Sequence, residues 1–263
     1  MLGVIGVGNV GSRVAALAQV LGMKVLMSDP PRAELEPGFV SLAVTEILGA
    51  ADVVTCHVPL TRTGAHATQH LLDTDGIARL RPGAVVLNTS RGGVIDDAAL
   101  GSACAAGRMH AVLDVWQTEP EPEPALLDVV RFATPHIAGY SLDGKLAGTR
   151  IIAAALQVFL GAAEGPAPAI FTAPVAAPRV AIGVGGRDGL RAAVRHAYAI
   201  RADDERMRAA LAHPTGTRAQ AFDRLRRDYP VRREFAGFVV TDAADLDMAD
   251  RRLLTGLGFA LAG

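Results

Sequence analysis

Met1-Leu2-Gly3-Val4-Ile5-Gly6-Val7-Gly8-Asn9-Val10-Gly11 opens the chain with an apolar run and then three glycines spaced GxGxxG. Residues 2–7 read as a buried strand and residues 10–21 carry helical periodicity, so the glycines fall on the turn between them. In that context Gly6 permits a tight turn and Gly8 lets the backbone approach a pyrophosphate. Gly11 lets the helix pack close to the strand. The N–H groups at the helix start, around Asn9 and Val10, then face the phosphates. Asp29 closes the second strand about 20 residues on, where a carboxylate accepts both ribose hydroxyls. A 2′-phosphate there would meet a negative charge, so the pattern favours NAD over NADP. Arg32 stands close enough to soften that preference.

Working outward, short apolar segments at 25–28, 52–56, 84–87, 111–113 and near 131–133 alternate with helical patterns at 42–49, 74–80 and 97–106. A long helix is expected over 144–160. Strand alternating with helix predicts a Rossmann-type doubly wound parallel α/β sheet over residues 1–160, with 144–160 as its return helix. Segment 161–178 (GAAEGPAPAIFTAPVAAP) reads as an Ala/Pro/Gly linker. Residues 179–263 follow as a small α+β unit. Its strands are expected at 179–184 and 235–241, and its helices around 190–199, 205–211, 220–228 and the C-terminus.

Composition narrows the function. Of 263 residues half are hydrophobic, and 26 Lys and Arg oppose 27 Asp and Glu. Such a balance gives no basic field for nucleic acid and no polybasic run for a membrane surface. No apolar run reaches membrane-spanning length and no leader pattern opens the chain, so a cytoplasmic protein is expected. Cys56 and Cys104 lack metal or redox spacing and read as buried thiols. His66 and His70 are spaced i, i+4 without a third ligand, so they read as surface histidines and no metal is expected. His57 ends a strand near the expected cleft, and Trp116 reads as packing beside it.

Three polar residues follow the later strands, where an open α/β sheet binds its ligands. Arg91 lies in Asn88-Thr89-Ser90-Arg91-Gly92-Gly93, Glu119 in Asp114-Val115-Trp116-Gln117-Thr118-Glu119-Pro120, and His136 in Thr134-Pro135-His136-Ile137-Ala138-Gly139-Tyr140. An arginine grips a carboxylate with two bonds. A histidine takes an alcohol proton as hydride leaves, and a neighbouring glutamate orients it. Together they predict a dehydrogenase.

These segments resemble the D-isomer-specific 2-hydroxyacid dehydrogenases, whose triad runs Arg, Glu, His in this order. Asp29-Pro30-Pro31-Arg32, Leu113-Asp114-Val115-Trp116, and His136 to Tyr140 followed by Gly144-Lys145 are most similar to the erythronate-4-phosphate dehydrogenase branch of vitamin B6 biosynthesis. Asp228-Tyr229-Pro230-Val231-Arg232-Arg233-Glu234 resembles the C-terminal domain by which that branch forms homodimers. The resemblance implies catalytic Arg91, Glu119 and His136, with His136 the acid/base. It implies cofactor contacts from Asn9, Val10, Asp29, Thr89, Ser90, Arg91, Asp114 and Gly139, and a substrate contact from Tyr140. Val58 stands where relatives carry a threonine, which leaves a backbone contact to the cofactor. The implied substrate is a small phosphorylated 2-hydroxy acid, with phosphoglycerate or hydroxypyruvate chemistry as the alternative. Relatives begin with half of a substrate-binding domain that this sequence lacks. The chain is therefore either a piece of a longer protein or a shortened, catalytically impaired NAD-binding module.

Overall fold

The computed structural model describes residues 1–161, 177–212, 214 and 216–262. Most of the expected linker lies outside the described residues. By internal contacts the chain divides into two compact units, Met1–Ile137 with Ile200–Asp228, and Ala138–Ala199 with Tyr229–Gly263.

The first unit is built on six parallel strands: β1 (Leu2–Ile5), β2 (Val25–Ser28), β3 (Val53–Cys56), β4 (Val85–Asn88), β5 (His110–Leu113) and β6 (Phe132–Ala133). Their spatial order is β2-β1-β3-β4-β5-β6, so the chain reverses its direction of travel across the sheet between β1 and β3. That switch point opens a crevice at the carboxyl ends of the strands. All four residues of β1 are buried, as expected of a parallel strand covered on both faces. The register sets Ile5 beside Ser28 on one side and Cys56 on the other. Gly6, Asp29 and His57 therefore leave neighbouring strands at one level.

The helices of this unit are α1 (Gly11–Val20), α2 (Pro30–Leu35), α3 (Val44–Ala50), α4 (Thr74–Arg79), α5 (Asp97–Ala105) and α6 (Pro124–Val129). Three of them start on aspartates that accept backbone N–H groups of the first turn. Asp29 does so from Arg32, Asp73 from Gly76, and Asp96 from Ala98 and Ala99. The helices pack Ile47, Leu48, Ile77 and Leu100 against Val54, Val86 and Leu113, all buried in one core.

The second unit contains α7 (Leu142–Phe159), β7 (Arg179–Val180), α8 (Gly186–Ala197), β8 (Val239–Val240), α11 (Met248–Gly256) and β9 (Ala260–Leu261). Between α8 and β8 the chain visits the first unit with α9 (Ile200–Leu211) and α10 (Arg218–Arg227). The small sheet pairs β7-β8-β9 in parallel, so its strands are joined by crossovers and not by hairpins. Its core gathers Val180, Ala193, Phe238, Val240, Leu254 and Phe259. The expected strand over 235–241 shortens because a 3₁₀ turn at Phe235–Gly237 stacks Phe235 on Phe259, ring centroids 4.7 Å apart.

This partition departs from the sequence expectation in two places. Helix α7, expected as the return helix of the first unit, groups with the second. Helices α9 and α10, expected in the C-terminal unit, pack in the first. The reason is the sheet's last strand. β6 has only two residues, and α9 covers its edge: the Ala133 N–H donates to Asp204 Oδ1 at 2.8 Å. Asp204 also holds Arg208, which donates to the Leu127 and Val130 carbonyls at the end of α6. Met207 and Phe222 are fully buried in the same core as Leu113 and Ala133.

Candidate active site

The glycine turn has the geometry its spacing predicts. Gly6 sits at φ +85°, and a Cβ there would fall 2.6 Å from the His57 carbonyl oxygen. A Cβ on Gly11 would fall 1.9 Å from the Gly6 oxygen, so this glycine is what lets α1 meet β1. Gly8 differs from both: a Cβ there would meet nothing within 4 Å. The open space lies before the start of α1, whose first residue follows Val10 without a side-chain cap. Helix-start N–H groups without a side-chain cap, at a ten-residue helix beside a bare glycine, could hold a pyrophosphate.

A cavity of about 550 Å³ opens at the switch point, lined by Gly6, Gly8, Asp29, His57, Val58 and Thr68 among others. That size suits a cofactor fragment. Asp29 is fixed at its floor. Its Oδ2 accepts the Val7 N–H at 2.7 Å, its Oδ1 accepts the Arg32 N–H at 3.0 Å, and its own N–H donates to Ser41 Oγ. His57 reaches Thr55 Oγ1 through Nε2 at 3.0 Å, and burial holds its pKa below the ordinary histidine value. Val58 lines the cavity with an apolar side chain, which leaves only its backbone for polar contact. His66, read from sequence as a surface histidine, also lines this cavity and bonds Glu34 of α2 at 2.7 Å. The two residues are 32 positions apart, so no local pattern could have paired them. His70 bonds Gln117 at 3.2 Å, and among the described residues no group of His, Cys, Asp and Glu could hold a metal ion. Cys56 and Cys104 are free and buried, and burial pushes the Cys56 thiol up to about 12.

Farther along the same carboxyl edge of the sheet, loops after β4, β5 and β6 carry the expected catalytic residues. Glu119 and His136 meet: Nδ1 of the imidazole lies 2.9 Å from Glu119 Oε2. The other carboxylate oxygen, Oε1, accepts the Trp116 N–H at 2.8 Å. Glu119 is thereby held from both sides, and it holds the ring. His136 itself adopts φ +55°, a left-handed conformation that a residue with a Cβ takes at a cost of about 1–3 kcal/mol and keeps only when its surroundings insist. They do. Its N–H donates to the Asp114 carbonyl at 2.7 Å. Buried Asp114 accepts the next N–H, from Ile137, at 2.8 Å and the Thr134 hydroxyl at 2.6 Å. Trp116 locks the same turn by donating Nε1–H to the Thr134 carbonyl.

Arg91 is not joined to this pair. Its side chain is exposed and donates through Nη1 to the Ser90 carbonyl at 2.6 Å. Its position is set by Asn88, which donates to the Arg91 carbonyl and accepts from both the Ser90 N–H and the Ser90 hydroxyl. Thr89 lies half-buried between them. Gly139 and Tyr140 begin the second unit. There Tyr140 packs edge-on against Tyr229 at 6.1 Å, with Lys145 4.4 Å over its ring. Tail residues hold this loop: the Leu142 N–H donates to the Arg232 carbonyl, Arg232 to the Ala138 carbonyl, and Arg233 to Asp143. The two sequence segments singled out at 136–145 and 228–234 thus meet in space.

Comparison with known proteins agrees with this geometry. The family model described as D-isomer specific 2-hydroxyacid dehydrogenase, NAD binding domain, matches residues 1–138. A domain of unknown function (DUF3410) matches residues 180–258. Erythronate-4-phosphate dehydrogenase of Pseudomonas paraeruginosa is 39% identical over 262 residues, covering 98% of this chain and 68% of that protein. The same enzyme of Azotobacter vinelandii is 42% identical over 268 residues, covering 97% and 68%. The chain thus spans about two thirds of the length of these relatives. A solved structure from Polaromonas sp. JS6 66, assigned to the same 2-hydroxyacid dehydrogenases, is 30% identical with a TM-score of 0.51, over 61% of this chain and 51% of that one. By the match over residues 1–138 and the relatives about 40% identical along nearly its whole length, the chain belongs to the NAD-dependent D-isomer-specific 2-hydroxyacid dehydrogenase family.

Proposed function

We propose that this chain carries the nucleotide-binding and acid–base half of an enzyme that oxidises 4-phospho-D-erythronate to 2-oxo-3-hydroxy-4-phosphobutanoate, in the route to pyridoxal 5′-phosphate. The Glu119–His136 contact of 2.9 Å carries the proposal, and the curated relatives supply the substrate. Bound NAD would supply the acceptor for the hydride from the carbon bearing the 2-hydroxyl. His136 takes the hydroxyl proton at Nε2, the ring nitrogen that Glu119 leaves free. Glu119 fixes the tautomer by accepting from Nδ1–H and stabilises the imidazolium that results. Arg91 binds the substrate carboxylate through its planar fork once it leaves the Ser90 carbonyl. Tyr140 contacts the substrate. Gly6, Gly8, Asn9, Val10 and Gly11 receive the pyrophosphate and Asp29 the ribose, while Val58, Thr89, Ser90, Asp114 and Gly139 line the remaining cofactor path.

We propose further that the protein works in the cytoplasm as a homodimer joined through residues 179–263. No described helix is long and apolar enough to cross a membrane. The C-terminal unit has a core of its own and none of the three expected catalytic residues, and assembly would give it a role. Sedimentation at graded concentrations tests the dimer.

The activity is tested by following NADH formation with 4-phospho-D-erythronate, D-3-phosphoglycerate and D-glycerate as separate substrates. Turnover of the first alone supports the proposal. Preference for phosphoglycerate moves the assignment to the neighbouring branch. NAD binding with no turnover of any of the three leaves the chain as a cofactor-binding module.

A further inference from the structure

We infer that Glu36 sets the cofactor preference of this chain, by holding the Arg32 guanidinium in a closed pair that denies it to a 2′-phosphate. The inference rests on the reading of the switch-point cavity as the adenosine end of an NAD site.

Asp29 and Arg32 converge on one peptide unit. Asp29 Oδ2 accepts the Val7 N–H, and Arg32 Nη1 donates to the Val7 carbonyl at 2.8 Å. The Arg32 N–H also donates to Asp29 Oδ1. The guanidinium therefore lies beside the carboxylate that recognises the ribose, where an arginine accommodates the extra phosphate of NADP. Left to itself this arrangement would be ambiguous, one acid and one base at the same hydroxyl.

Glu36 removes the ambiguity. It accepts from Arg32 Nε at 2.6 Å and from Nη2 at 3.0 Å, which is the two-bond fork that an arginine otherwise offers a phosphate. Phe39 places its ring under the guanidinium, with its centroid 4.3 Å from Arg32 Cζ. Glu36 is placed by α2 itself, four residues after Arg32, with its N–H bonded to the Arg32 carbonyl at 2.8 Å. The hydrogen bond between them holds the Glu36 carboxyl below its usual range and the guanidinium above its own. Asp29 and Glu36 together outweigh the one arginine, so a 2′-phosphate meets net negative charge and a guanidinium whose Nε and Nη2 already face Glu36 and whose Nη1 faces the Val7 carbonyl. His66, which lines the same cavity, is engaged by Glu34.

The test is calorimetric titration of the protein with NAD and with NADP, in five forms: wild type, Glu36→Gln, Glu36→Ala, Arg32→Ala and the Glu36→Gln/Arg32→Ala double variant. Glu36→Gln should bind NADP at least about tenfold more tightly than wild type, the value of one charge-assisted bond gained. NAD affinity should stay within about twofold, because the ribose diol still meets Asp29. On the Arg32→Ala background the same substitution should give NADP about twofold or less, since only a repelling charge is removed and no donor is released. Glu36→Ala serves as a second release of the arginine and should behave as Glu36→Gln does. Unchanged NADP affinity in both Glu36 variants would overturn the inference. So would an equal gain with and without Arg32, which would make Glu36 a simple repelling charge. A wild type that binds neither nucleotide would remove the NAD reading itself, and the inference with it.

Discussion

Gly8→Ala separates the space the fold needs from the space a ligand needs. The three glycines of the turn differ in what a methyl group would strike. At Gly11 it would lie 1.9 Å from the Gly6 oxygen, and at Gly6 it would lie 2.6 Å from a backbone carbonyl under a positive φ. The first must push α1 off β1 and the second must push the turn off the backbone that follows β3, and either destabilises the unit. At Gly8 nothing lies within 4 Å, so Gly8→Ala should melt within about 0.5 kcal/mol of wild type, as surface substitutions do. In the proposed cofactor site, however, a phosphate comes close at this point. Displacing it from one backbone N–H forfeits a hydrogen bond to a charged group, about 1.5–3 kcal/mol. At 1.4 kcal/mol per tenfold that is roughly 10- to 150-fold in the dissociation constant for NAD. Urea unfolding followed by circular dichroism gives the first quantity and calorimetric titration the second. NAD binding at wild-type strength by a folded Gly8→Ala protein would refute the cradle. A large stability loss would show that the open space is filled in solution by the protein's own atoms.

In the complete enzyme, His136→Ala should lower turnover by about 10²–10⁴-fold, the usual worth of a positioned acid–base group, while NAD titration stays unchanged. Arg91→Lys should raise KM and lower kcat together in steady-state assays, since an ammonium cannot reproduce the planar fork. Asp204→Ala should destabilise the first unit by about 2–4 kcal/mol in urea melts, combining a stranded N–H at buried Ala133 with a loosened Arg208. Asp204→Asn keeps an acceptor and should lose less. His57 has a depressed pKa in the fold, so the unfolded chain binds the extra proton first as pH falls below about 6.5. Its contribution to stability is then present above that pH and declines below it. His57→Gln should flatten the difference between melts at about pH 5 and pH 7.5.

What was legible in the sequence was whatever local chemistry decides. β1, β2 and β3 stand where short apolar runs predicted them, because a strand buried on both faces needs little but Val, Ile and Leu. The nucleotide turn was legible because Gly6, Gly8 and Gly11 each answer a separate steric demand. Helix α2 leaves no apolar periodicity in the sequence: Asp29 caps it and Pro30 and Pro31 fill its first turn, but it buries none of its residues, so no apolar face announces it. The Glu119–His136 pair could be named from its place after β5 and β6, but its tightness depends on the left-handed turn at His136 and on Asp114 beneath it. No spacing encodes either. Arg91 shows the limit from the other side: the chain places it in the right loop, and its side chain rests on a carbonyl of that loop. The migration of α9 and α10 into the first unit was invisible for a simpler reason. Composition marks where a linker lies along the chain, while Met207, Leu211 and Phe222 are claimed by a core whose other buried members lie 70 or more residues upstream.

That long return has a consequence for how the protein is made. Ala133 emerges from the ribosome 71 residues before its partner Asp204, an interval of several seconds at roughly 5–20 residues per second. Throughout it the nucleotide sheet exists with an open last edge and an empty berth for Phe222, a state suited to chaperone capture or to strand pairing between nascent chains. A gene fragment ending anywhere before residue 200 would make that unfinished intermediate permanent. An expression plasmid for the cofactor-binding portion alone should therefore carry residues 1–137 and supply 200–228 as well, fused through a short bridge, and its soluble yield should collapse when the second piece is left out.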